Sequence, residues 1–137
     1  MEVLEKFKVE IVTPEKIVFS DNVEMVVIPG ADGEFGVLFG HIPIISSIKT
    51  GFIYIYEKGV IIEKFFVEDG FVEVTSDGTI VLIDRAFPAM KVKVNDIEKI
   101  ILELKGKLNF NLKDFDNFLL ERDVEFYNKL IEAIQDQ

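Results

Sequence analysis

Apolar and polar residues alternate along the first part of the chain. Phe7, Val9 and Ile11 are separated by Lys8 and Glu10. Val23, Met25 and Val27 continue the alternation around Glu24, although Val26 and Ile28 make the other face of that stretch partly apolar. Successive side chains of a strand point to opposite faces, so a period of two predicts half-buried β-strands. Residues 52–56, 60–67, 71–75 and 79–83 are further short runs rich in β-branched and aromatic side chains. Between the runs stand Gly30-Ala31-Asp32-Gly33, Gly40, Lys58-Gly59, Asp69-Gly70 and Asp77-Gly78. Glycine and aspartate tolerate the backbone angles of tight turns, and two of these dipeptides are short enough to close hairpins. Short strands at regular spacing predict an antiparallel sandwich or barrel. The strand–helix alternation of a parallel sheet is absent.

From about residue 95 the period changes. Asn95 followed by Glu98 predicts a capping box, in which two end groups of a helix satisfy each other. Ile97, Ile100, Ile101, Leu104 and Leu108 then recur at helical spacing. Gly106 and Asn109 weaken the end of that helix, and Asn111 is placed to cap a second one. In the second helix Leu112, Phe115, Leu119, Phe126, Leu130 and Ile134 form one stripe, and Leu120, Val124, Tyr127 and Ile131 another. A link as short as 109–111 predicts an antiparallel helical hairpin. Phe87-Pro88-Ala89-Met90 marks the boundary, because proline disfavours helix in the residue before it. The expected domains are therefore a β-sandwich over residues 1–88 and a helical hairpin over 89–137. Two apolar stripes exceed what one packing face uses. Either a small core leaves phenylalanines exposed, or one face meets a partner or the sandwich.

Composition narrows the function. The chain has 137 residues, 13 of them phenylalanine, and a formal charge of −10. That charge repels a phosphate backbone and anionic headgroups, so nucleic-acid partners and direct lipid insertion are not expected. No apolar run approaches the ~20 residues that span a bilayer. Met1-Glu2-Val3-Leu4-Glu5-Lys6 has no basic stretch leading into an apolar one, so no secretory signal is expected. Without cysteine there is neither disulfide nor thiolate.

The sequence offers little catalytic chemistry. Its one histidine, His41, lies beside Gly40 and Ile42-Pro43. A general base needs a nucleophile or an orienting carboxylate. Ser46 and Ser47 are near in sequence, but no Gly-x-Ser-x-Gly elbow surrounds them. One histidine and no cysteine make a zinc site improbable on ligand count. Gly30-x-x-Gly33-x-x-Gly36 lacks the Gly-Lys-Ser/Thr of a phosphate loop and leads into no helix, so it reads as a chain bend with close backbone approach. No catalytic, cofactor or metal residue is assigned.

Residues 11–44, IVTPEKIVFSDNVEMVVIPGADGEFGVLFGHIPI, resemble the opening signature of the epsilon subunit family of F-type ATP synthases. The common features are an apolar strand, a Thr-Pro-Glu turn, a Phe-Ser, a strand ending near Gly, a Gly-x-x-Gly segment and a Gly-His-x-Pro loop. Phe39 stands where the family usually has proline. Residues 66–74 are similar to the family's Gly-Gly-Phe-x-Glu-Val hairpin, with Asp69 for the first glycine, and residues 79–86 to its last strand. The resemblance implies a sandwich of about ten strands, a helical hairpin, and a non-catalytic place in the rotor. The partners it implies are the gamma subunit and the c-subunit ring, with alpha and beta reached through the hairpin. It puts Glu34, Phe39 and His41 at the c-ring and gamma contact, and Phe115, Phe118 and Phe126 on a regulatory hairpin surface. The location implied is the cytoplasmic face of a bacterial inner membrane.

Two departures from the family change the expectation. Its ATP motif, Ile/Leu-Asp-x-x-Arg-Ala, aligns with Ile97-Glu98-Lys99-Ile100-Ile101-Leu102, where the arginine is missing, so no ATP is expected on the hairpin. Inhibitory arms of the family tend to be basic, whereas residues 95–137 carry six Lys plus Arg against ten Asp plus Glu. Such an arm is repelled by an acidic target. The competing reading is a free-standing ligand-binding β-domain using residues 30–40, and a small hydrolase built on His41 ranks last.

Overall fold

In the computed structural model, residues 4–108 and 114–137 are described. The alternating runs form eight strands: β1 (Phe7–Val12), β2 (Ile17–Val23), β3 (Met25–Gly30), β4 (Gly33–Leu38), β5 (Ile44–Ile48), β6 (Gly51–Glu57), β7 (Val60–Thr75) and β8 (Gly78–Pro88). They pair in the order β2-β1-β8-β7-β5-β3-β4, with β6 joining β3 and β7. Every pair is antiparallel except β1 with β8, which runs parallel from Val9↔Thr79 to Val12↔Leu82. Inward residues of all eight strands, among them Val9, Ile11, Val26, Ile28, Ile53, Val72 and Val81, form one buried core.

Several expectations are corrected. Glu24 separates β2 from β3 and resets the alternation, so Val23, Val26 and Ile28 are buried while Met25 and Val27 are half-buried. Asp69-Gly70 is not a turn. β7 continues through it for 16 residues and pairs first with β6, then with β5. Asp69 has φ 43°, and there the inward positions change from Phe65 and Val67 to Val72 and Val74. One left-handed residue thus shifts the period-two pattern by one position and turns the strand around a corner. Partner β8 passes the same corner unbroken, so two long strands do the work of shorter ones and the count of eight roughly fits the expected sandwich of about ten.

The other turns form as expected. Lys58 and Gly59, both at positive φ, close β6–β7 in the hand that matches strand twist. Gly30 faces Gly33 across the β3–β4 hairpin, where an added Cβ would lie 2.7 Å from the Gly33 oxygen, so the glycine run is a bend. The Lys58 amide donates to the buried Glu24 carboxylate at 2.6 Å, tying the strained turn to the β2–β3 junction. A hydrogen bond to a charged group contributes about 1.5 kcal/mol or more. Glu24→Ala should therefore lower unfolding stability by about that amount at unchanged denaturant slope, measured in urea. A Glu24→Gln protein, which keeps an acceptor, should lose less.

The chain divides into two units, Met1–Met90 and Lys91–Gln137. Ala89 goes with the first because its amide donates to the Lys64 carbonyl at 2.8 Å and its side chain is buried. In the second unit α1 (Val94–Lys107) packs on α2 (Asp114–Gln135), as the helical periodicity predicts. The cap falls two residues earlier than expected: Lys93 is the N-cap, and Asp96 accepts its amide at 3.1 Å, leaving Asn95 inside the helix. The expected link and Asn111 cap lie outside the described residues.

Candidate functional site

The residues singled out at the β4–β5 connection sit on a bend that the backbone itself makes. The His41 amide donates to the Leu38 carbonyl at 3.1 Å, and Gly40 supplies the positive φ that this return needs. His41 Nδ1 then lies 2.7 Å from the Ile42 carbonyl, so it carries the proton and donates, and its ring stands 6.5 Å from that of Phe35. Phe39 and His41 line a groove of about 240 Å³ whose other walls include Phe7, Val37, Pro43, Val74 and Thr79. Glu34 is exposed near the opposite end of β4, paired with Pro29, and does not line that groove. Among the described residues, no group of three or more His, Cys, Asp or Glu could hold a metal ion. The lysines whose pKa values move lie elsewhere: the hydrogen bond and charge of Glu57 raise Lys6, and burial lowers Lys64.

A surface that the sequence reading missed lies on β5, β7, β8 and β1. In one row across these strands stand Ile45, Glu73, Ile80 and Glu10; in the next stand Ser47, Phe71, Leu82 and Val12. Directly opposed residues share a face. Ile45 is 72% exposed, Phe71 59% and Leu82 54%, while Val72, Val74, Val81 and Ile83 between them are buried. The signal was present as runs such as Ile80-Val81-Leu82-Ile83, apolar on both alternations where a solvated face would be polar. A contiguous exposed apolar band flanked by carboxylates is the anatomy of a docking surface, with a core that loses water and a polar rim.

On the helices, Phe115 and Phe118 are exposed and three residues apart, so they share a face of α2. Phe126 is buried, and the expectation that it belongs to an exposed regulatory surface does not hold in this arrangement. Ile97 and Ile101 of the altered ATP motif are likewise buried. No described helix is long and apolar enough to cross a membrane.

Residues 6–89 match the family described as ATP synthase, Delta/Epsilon chain, beta-sandwich domain. The ATP synthase epsilon chain of Rhodospirillum rubrum is 47% identical over 78 residues, a stretch covering 57% of this chain and 58% of that one. The present chain thus spans less than two thirds of that relative's length. The epsilon chain of Magnetococcus marinus is 35% identical over 127 residues, 92% of each chain. Two solved assemblies share the fold. A chain of the Euglena gracilis mitochondrial ATP synthase, in its OSCP/F1/c-ring structure, superposes with TM-score 0.65 at 16% identity, covering 99% of this chain and 83% of that one. A chain of the Tetrahymena thermophila central stalk and c-ring gives 0.54 at 12% identity, covering 98% of both. With all eight sandwich strands inside the matched residues and a relative aligned over 92% of its length, this chain belongs to the ATP synthase delta/epsilon chain family.

Proposed function

We propose that the chain is a non-catalytic central-stalk subunit of a proton-translocating ATP synthase, coupling rotation of the c ring through gamma to ATP synthesis. The observation that carries this reading is the exposed apolar band centred on Phe71 and Leu82, a surface made for permanent burial against another protein. We assign that band to gamma and Glu34, at the β3–β4 turn, to the c ring; Phe39 and His41, beyond the other end of β4, belong to the wider c-ring and gamma contact. The subunit then sits peripherally at the cytoplasmic face of a bacterial inner membrane. The exposed Phe115 and Phe118 reach alpha and beta when the hairpin regulates hydrolysis, weakly because the arm is acidic. ATP is not held by the hairpin, for residues 97–102 supply no arginine to its phosphates.

A tagged full-length chain, purified from gently solubilised membranes, should bring down a gamma-like subunit and the c ring. Recovery of the chain alone would favour the free-standing ligand-binding reading. In the same membranes Glu34→Lys should weaken docking and lower coupling between proton flow and ATP turnover, because a carboxylate there accepts charge-assisted bonds from a basic ring loop. Full coupling would remove Glu34 from the contact.

A further inference from the structure

Inside the apolar band stands one charge without a counterpart among the described residues. Glu73 is exposed on β7, opposed by Ile45 of β5 on one side and by Ile80 of β8 on the other. Phe71, two residues back on the same strand and exposed on the same face, bounds a third side. Glu10 ends that row on β1, and its carboxylate has Lys8 Nζ at 4.0 Å. Glu73 has no ion pair or hydrogen bond among the described residues. In the free chain water serves its carboxylate. A protein that covers Ile45, Phe71 and Leu82 strips that water away, and an ionised carboxylate buried without a partner is strongly destabilising. The surface that covers the band must therefore bring a cation to that position.

Given the assignment of the band to gamma, on which this rests, we propose that gamma presents an arginine to Glu73 and that the pair fixes the register of docking. The apolar surroundings select arginine over lysine. A guanidinium is more weakly hydrated than an ammonium, so it gives up water more readily where Ile45, Ile80 and Phe71 close around it. Its planar fork can bond both oxygens of one carboxylate, and its methylene stem suits the isoleucine walls. The formal charge of −10 on this chain favours encounter with a cationic surface. Apolar rows alone tolerate sliding along an apolar partner. A slip that set Glu73 against an apolar side chain would leave two buried charges unpaired, so the ion pair admits one alignment.

The test binds purified gamma to the immobilised full-length chain and its variants. Glu73→Gln keeps the size of the side chain and removes its charge, and should weaken gamma binding about thirtyfold or more. The melting temperature of the free variant should be unchanged, because residue 73 is solvated there. Blocking the arginines of gamma with phenylglyoxal should weaken the parent and leave little difference between parent and Glu73→Gln. Acetylating the lysines of gamma should leave that difference intact. Equal affinity of parent and Glu73→Gln would overturn the proposal. If Phe71→Asp with Leu82→Asp still abolishes binding in that case, gamma keeps the band and only the arginine contact falls. A difference erased by acetylation would also overturn it, by making the cation a lysine. Failure of gamma to bind the parent chain would remove the rotor reading, and this contact with it.

Discussion

Gly70→Ala should lower the melting temperature of the sandwich by about 15 °C or more. A Cβ at position 70 would lie 2.0 Å from the Leu82 carbonyl oxygen and 2.9 Å from the Ile83 Cα. Both are backbone atoms of the paired strand β8, so no rotamer change relieves the clash. The strands must separate at the corner where β7 exchanges β6 for β5. Backbone strain and lost pairing there put the cost at about 4 kcal/mol or more, a large part of the 5–15 kcal/mol of a typical domain. Circular dichroism through a thermal scan would show it. Gly106→Ala is the control: it lies in α1, an added Cβ meets nothing within 4 Å, and alanine is the better helix former by about 1 kcal/mol. That variant should be as stable as the parent or slightly more so. A Gly70→Ala chain that melts like the parent would remove the corner from the account of the fold.

The second large effect concerns docking. Phe71→Asp with Leu82→Asp places two carboxylates at the centre of the exposed apolar band, opposite each other on β7 and β8. Both positions face solvent in the free chain, so its melting temperature should change little. In a complex each carboxylate would be buried without a partner, and each costs several kcal/mol there. Affinity for the protein captured by the parent chain should fall at least a hundredfold, about 2.7 kcal/mol. Binding of purified partner to the immobilised variant would measure this. Unchanged affinity would move the docking surface away from the band. Loss of folding in the free variant would contradict the exposure of both residues.

How much was legible in the sequence follows from the range of the forces involved. The two units, the hairpin turns at Lys58-Gly59 and Asp77-Gly78, and the periodic helices were readable because each is decided by residues a few positions apart. The cap was misplaced by two residues because Asn95 looked locally better than Lys93, and the acceptor that decided the matter was Asp96. Asp69-Gly70 carries turn chemistry, yet β7 continues through it. The glycine is there to let the β8 backbone approach, and that strand belongs to a later stretch of chain.

The sequence by itself determined the fold class, most of the strands and helices, and the family, all carried by composition, local order and spacing. Tertiary structure decided which apolar residues stayed outside. Phe71, Ile80, Leu82 and Ile45 are as apolar as their buried neighbours, and only the register of three strands gathers them on one face. It also set Glu73, unpaired among the described residues, between Ile45 and Ile80, two positions 35 residues apart in the chain. Burial and hydrogen-bond satisfaction depend on contacts between distant segments, so neither can be read from the order of residues alone.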